Sequence, residues 1–336
     1  MNCLGPCLGR QRHAGLVGHQ QGQKFRMVQD VVCNRHEYLH AASIQAAGDH
    51  VKTGTCRIAG NCPEFWGQSK VKIIQLSDCH ISADPDAVYR GINPREMLRA
   101  LLPAVRSWGP ELVLITGDLA EDASEGAYAF LRQELDRIEA PVLTIPGNHD
   151  DAGLQSEAFA DTPVLDPLSR ISGGWKLVLL NSAVAGRIAG ELTERMLAGL
   201  RAELETAETP VLVAVHHQPV PTASPWIDRY PLEQPERFWS VVDAQPLVRA
   251  VIWGHIHHDY RARRGGVDLL GAPSTAANSR PESGTFVADG AGPACRWINL
   301  EPDGGLDCGL LRPAGSALGQ DQPEEEIDQD AGEGRG

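Results

Sequence analysis

Val142–Asp151, VLTIPGNHDD, sets a short apolar run against a Pro-Gly turn and then an amide, an imidazole and two carboxylates. A brief apolar run bounded by turn residues reads as a strand buried on both faces. Here the most titratable cluster sits at its carboxyl end. In sheets whose strands alternate with helices, that end is where ligands bind.

The same arrangement recurs along the chain. VKIIQL runs into SDCH (Ser77–His80), ELVLIT into GDLAED (Gly117–Asp122), PVLVAV into HHQP (His216–Pro219) and LVRAVIW into GHIHHD (Gly254–Asp259). Amphipathic helices are expected between them. NPREMLRALLPAVRSW has Asn93 as its N-cap and Pro94 at its first position, and ASEGAYAFLRQELDRIE and LTERMLAGLRAELETAE follow the same pattern. WKLVLLN, VDLLGAP, GTFVADG and CRWINL read as further strands. The fold class is therefore a layered α/β domain with strands covered on both faces.

All seven histidines after residue 70, namely His80, His149, His216, His217, His255, His257 and His258, fall in the five polar clusters. Scattered surface histidines would not be distributed in this way. In extended chain, i and i+2 face one side, so Asp78 can act with His80, and His255 with His257, while Cys79 packs away. Gly117, Gly147 and Gly254 each precede a candidate ligand, where backbone must turn and approach closely. Mixed imidazole and carboxylate donors suit divalent transition metals such as Mn, Fe or Zn.

In this order, D-x-H, G-D, G-N-H-D, H and G-H-x-H resemble the calcineurin-like metallophosphoesterases over roughly Val71–Leu311. QLSDCHI, GDLAEDASEGAYAFL, HHQPVPTASPWID and LLGAPSTAANSRP are similar to segments of the bacterial class III 3′,5′-cyclic-AMP phosphodiesterases. The resemblance implies a four-layer αββα sandwich over 71–312 and two divalent cations. Fe or Mn fit best, with Zn, Co and Mg as alternatives. Asp78, His80 and His257 would take one metal, Asn148, His216 and His255 the other, with Asp118 bridging. His217 is the alternative to His216. With only two anionic ligands the centre would stay about two charges positive, enough to draw in a phosphodiester.

The chemistry so implied is hydrolysis of cyclic AMP to 5′-AMP by a metal-activated hydroxide. His149 would serve as proton donor or phosphate stabiliser, with Asp150 or Asp151 orienting it. His80, Asp118, Asn148, His149, His216 and His257 would surround the substrate. Other nucleotides, diphosphates or glycerophosphodiesters are the competing substrates, and a fold that has lost its metals is the non-enzymatic alternative. The oligomeric state stays open, a dimer among the options.

The charge of −14 argues against a nucleic-acid partner. No apolar run reaches membrane-span length and no secretory signal opens the chain, which favours the cytoplasm. Residues 1–70 carry eight Lys/Arg against four Asp/Glu and no steady period, so a disordered extension is expected, with translation from near Val71 as the alternative. Residues 313–336 read as an acidic, solvated tail. Glu121, Asp122 and Glu324–Glu326 read as solvated charge, and His258 and Asp259 as orienting or solvated groups. Trp226, Asp228 and Tyr230 are equally suited to substrate contact or loop packing, and Asn278 and Arg280 to an exposed loop, slightly ahead of nucleotide contact.

Overall fold

The computed structural model describes residues 70–160 and 167–314, with the backbone of several strands nearer the N-terminus. It forms two units, Met1–Phe65 and Trp66–Gly336. In the first, Arg26–Asn34 pairs antiparallel with Glu37–Gln45, which also takes Lys52–Gly54, and His19–Gln20 pairs with Gln23–Lys24. Most of the expected extension over 1–70 and tail over 313–336, including Glu324–Glu326, lies outside the described residues.

The second unit contains strands β1 (Val71–Leu76), β2 (Leu112–Thr116), β3 (Val142–Ile145), β4 (Leu168–Ser172), β5 (Trp175–Leu179) and β6 (Val211–Ala214). These are followed by β7 (Val248–Trp253), β8 (Tyr260–Arg264), β9 (Val267–Gly271), β10 (Cys295–Leu300) and β11 (Leu306–Leu311). The main helices are α1 (Pro94–Trp108), α2 (Glu125–Leu135), α3 (Ala152–Ala158), α4 (Glu194–Glu205), α5 (Pro225–Asp228) and α6 (Pro235–Val242).

Two sheets result, ordered β11-β10-β1-β2-β3 and β8-β9-β7-β6-β5-β4. β1, β2 and β3 are parallel, as are β5, β6, β7 and β9. Alternation along each strand builds four layers. Ile73, Leu112, Leu114 and Leu143 face Leu177, Leu212, Ala250 and Ile252 between the sheets. Their neighbours Ile74, Val113 and Ile115 pack against Leu98, Leu102 and Leu131 of α1 and α2. On the far side Val178, Val213 and Val251 meet Leu197, Leu200 and Phe238 of α4 and α6. Continuous apolar strands are thus what two helix-covered sheets require. Leu212 is fully buried in the middle layer. We expect Leu212→Ala to lower unfolding free energy by about 2–5 kcal/mol in urea denaturation. A loss within error of zero would mean that the layer is not packed.

α1 starts as the sequence requires, with the Asn93 side chain accepting from the Arg95 and Glu96 amides and Pro94 at its head. Ser124 and Thr193 cap α2 and α4 in the same way. Several features depart from expectation, the short helices α3, α5 and α6 among them. GTFVADG is no strand; it contributes a single bridge, Ser279 to Ala288. β4, β8 and β11 are additional, and all three are sheet-edge strands with few buried residues, LSRIS, YRARR and LDCGLL. An edge strand has no second apolar face and so lacks the buried-strand pattern.

Candidate active site

The loops leaving the carboxyl ends of β1, β2, β3, β6 and β7 converge, with three coming from one sheet and two from the other. Asp118 is the meeting point. Its Oδ2 lies 3.9 Å from His80 Nε2 and 3.5 Å from His216 Nε2. Asp78 Oδ1 lies 3.3 Å from His257 Nε2, and its carboxylate accepts the His255 amide at 3.0 Å. Asn148 Oδ1 stands 3.2 Å from His216 Nε2. Asp78, His80, Asp118, His216, His255 and His257 are all buried.

Each of the four clustered imidazoles has one nitrogen committed outward. His80 Nδ1 donates to Glu121 at 2.6 Å, His216 Nδ1 to the Thr116 carbonyl at 2.7 Å and His257 Nδ1 to the Ala277 carbonyl at 2.8 Å. His255 Nε2 donates to the Tyr230 carbonyl at 3.1 Å. Carbonyls and carboxylates only accept, so these bonds fix the tautomers and leave one lone pair per neutral ring. As neutral rings in these tautomers, His80 and His257 bring two bare Nε2 atoms within 3.2 Å of each other. Two buried lone pairs at that separation repel, and a proton or a metal cation between them removes the repulsion. The donor set therefore fits divalent metals. Burial disfavours charge on Asp118, yet His216, His149 and His80 outweigh it, and its carboxyl lies well below the usual range.

The backbone is arranged for this convergence. Asp78, His80, Asp118, His255 and His257 all adopt positive φ, between 45° and 68°. Left-handed backbone at residues with side chains carries a cost and clusters at functional sites. Asp78 and His80 do come together, but through left-handed turns rather than the extended i, i+2 geometry expected. A Cβ on Gly117 would strike the His216 ring, and one on Gly147 the Asp118 carboxylate.

Several neighbours differ from expectation. Glu121, taken as solvated charge, accepts from His80 and lies 3.2 Å from His149 Nδ1. Its position three residues after Asp118, on the same turn, was the available signal. Asp150 accepts the Leu119, Ala120 and Gly147 amides and the Tyr128 hydroxyl, so it ties the β2 and β3 loops together. Asp151 instead caps α3. The His149 amide donates to Asp118 at 3.0 Å, and its side chain is 35 % exposed, at the lip of the cluster.

His217 is engaged at both nitrogens, by the Ser182 hydroxyl at 2.7 Å and the Ile188 carbonyl at 2.9 Å. Burial and the adjacent His216 push its pKa down to about 3. Geometry thus favours His216 as the available donor. Cys79 packs in the helix-side core, where burial pushes its thiol up to about 12. Asp259 ion-pairs with the fully buried Arg296, and Asp122 is exposed and holds Ser124 and Ala83. The His258 Nδ1 is held by the Ile256 carbonyl. Asp228 accepts from Thr222 and Ser224 and so serves loop packing. Asn278, expected on an exposed loop, is buried and clamps Ser274 to Gly292, whereas Arg280 is exposed.

Among the described residues, no helix is long and apolar enough to cross a membrane. The family model described as calcineurin-like phosphoesterase matches residues 71–259. A curated relative, the 3′,5′-cyclic adenosine monophosphate phosphodiesterase CpdA of Pseudomonas aeruginosa, is 33% identical over 73% of this chain and 90% of its own. The CpdA of Escherichia coli K12 is 33% identical over 77% and 96% respectively. A 3′,5′-cyclic-nucleotide phosphodiesterase from Nostoc is 33% identical over 70% and 89%. Among solved structures, a dimetal phosphatase from Danio rerio aligns with TM-score 0.54 at 15% identity, covering 73% of this chain and 99% of that one. That likeness speaks for the fold.

Proposed function

Because this chain belongs to the calcineurin-like phosphoesterases, we propose that it hydrolyses 3′,5′-cyclic nucleotides, cyclic AMP foremost, to 5′-monophosphates. The observation that carries the reading is the set of opposed imidazole lone pairs around two buried carboxylates, Asp78 and Asp118. Asp78, His80 and His257 would hold one divalent cation, and Asn148, His216 and His255 a second, with Asp118 shared. Mn or Fe suits the donor set best. When bound, such a pair polarises the phosphoryl group and lowers the pKa of water towards neutrality.

The chain's own residues supply the rest. Glu121 holds His80 in the tautomer that turns Nε2 inward, the carbonyls of Thr116 and Ala277 do the same for His216 and His257, and the Tyr230 carbonyl holds His255 Nε2 so that its Nδ1 turns inward. Asp150 locks the loop bearing Asn148 and His149 against the loop bearing Asp118. Water adds to phosphorus, the bond from phosphorus to the 3′-oxygen breaks, and that oxygen must gain a proton. We assign that proton to His149, a reading supported by its exposure at the lip and its contact with Glu121.

A substrate panel tests the reading. Purified, Mn-loaded protein should turn over cyclic AMP with a kcat/KM at least about tenfold above that for ADP or glycerophosphodiesters, yielding 5′-AMP. Preference for a diphosphate or glycerophosphodiester would move the chain to the competing substrate class. Release of 3′-AMP would contradict the assigned bond cleavage.

A further inference from the structure

Between β1 and α1 the chain reverses abruptly at Arg90–Gly91. Tyr89 and Ile92 exchange backbone hydrogen bonds of 2.8 and 3.0 Å, and Arg90 and Gly91 have φ of 47° and 82°. Two successive left-handed residues make a primed hairpin turn, where Asn-Gly is the favoured pair. An arginine there is held in a conformation that a residue with a side chain occupies at a cost. Its side chain reaches an unusual set of neighbours. The guanidinium lies 4.0 Å from the Phe286 ring centroid, 5.3 Å from Tyr89 and 5.8 Å from Trp226. It donates to the Tyr89 hydroxyl and, among the described residues, makes no ion pair. The cation is held by aromatic faces rather than by a carboxylate.

The cluster abuts the candidate metal ligands. Tyr89 stacks on His80 with centroids 4.0 Å apart and planes within 13°. Trp226 and Phe286 meet each other edge-on at 5.4 Å, and each lies close to the His257 ring, at 6.1 and 6.2 Å. The Trp226 side chain is almost fully buried and its indole N–H has no partner. Backbone hydrogen bonding from Trp226 to the Ser283 carbonyl ties the loop after β6 to the loop bearing Phe286. Three separate segments thus deliver flat faces and a guanidinium without an ion pair among the described residues to one side of the site.

We propose that Arg90 and Phe286, backed by Tyr89 and Trp226, form the nucleobase subsite beside the His80 and His257 rings. Flat aromatic and guanidinium faces bind bases by stacking, and this works for any base because every base has a π-face. The inference takes its ligand from the cyclic-nucleotide reading above, but its geometry is independent of it.

The test uses Arg90→Ala, Arg90→Lys, Phe286→Ala and Phe286→Leu in the full metal-loaded chain. Cyclic AMP is compared with methyl riboside 3′,5′-cyclic phosphate, which keeps the scissile group and lacks the base. We expect the alanine variants and Phe286→Leu to raise KM for cyclic AMP about tenfold. kcat should change less than about twofold, and the baseless substrate should be unaffected. Arg90→Lys keeps the charge but loses the plane, and should behave as Arg90→Ala. Equal losses on both substrates, or rescue by Arg90→Lys, would make Arg90 a phosphate contact and overturn the subsite; unchanged KM for cyclic AMP would overturn it too. Binding of 5′-AMP against ribose 5-phosphate, followed by Trp fluorescence, separates the two readings. Wild-type protein that binds both equally overturns the base subsite. Protein that prefers 5′-AMP yet hydrolyses only non-cyclic diesters overturns the function and leaves the subsite standing.

Discussion

Asp118→Asn should lower kcat/KM for cyclic AMP by about 10³-fold or more, with the fold intact by circular dichroism. Changing a group that merely orients a metal ligand costs roughly 10–100-fold in affinity or activity. Asp118 is placed to do more, because one carboxylate oxygen faces both His80 and His216 while the other accepts the His149 amide. Asparagine keeps the volume but removes the charge that two cations would share. A second readout follows from linkage. A metal bound only by the folded state, at about 100 times its Kd, adds about 2.7 kcal/mol to stability. Wild-type protein should therefore melt at higher temperature with Mn²⁺ than with chelator, and Asp118→Asn should lose most of that difference. A variant that keeps both the thermal shift and the rate would remove Asp118 from the shared position.

His149→Ala should behave differently, keeping metal while kcat for cyclic AMP falls by about 10²–10³-fold, within the range for loss of a general acid. The loss should shrink to less than about tenfold with bis(p-nitrophenyl) phosphate, because p-nitrophenolate departs without a proton whereas a ribose 3′-alkoxide does not. The prediction rests on position. His149 is the partly exposed imidazole of the group, Glu121 orients its Nδ1, and its own amide is anchored to Asp118. Equal slowing on both leaving groups would reassign it to binding the phosphate.

The central strands and the clusters at their ends were legible because burial on two faces and ligation each leave dense local patterns. VKIIQL and ELVLIT contain little but apolar residues, and GNHDD and GHIHHD little but donors. Asn93 and Pro94 announced α1 through capping chemistry that depends on a few adjacent residues. What escaped has no such local signal. The edge strands LSRIS and YRARR bury too little to show a period. Asn278 looks like a loop residue until Ser274 and the Gly292 carbonyl enclose it. Glu121 belongs to the site only because the β2 loop turns it towards His80 and His149, and the left-handed φ of Asp78 and His80 is a property of the fold. Arg90, Trp226 and Phe286 come from three distant segments, so no window of sequence brings them together.

Metal content coupled to turnover tests the centre itself. Chain stripped with chelator, desalted and titrated with Mn²⁺ should regain cyclic AMP hydrolysis as bound metal, measured by mass spectrometry, rises to about two ions per chain. Full hydrolysis in stripped protein with no metal detected would contradict the account.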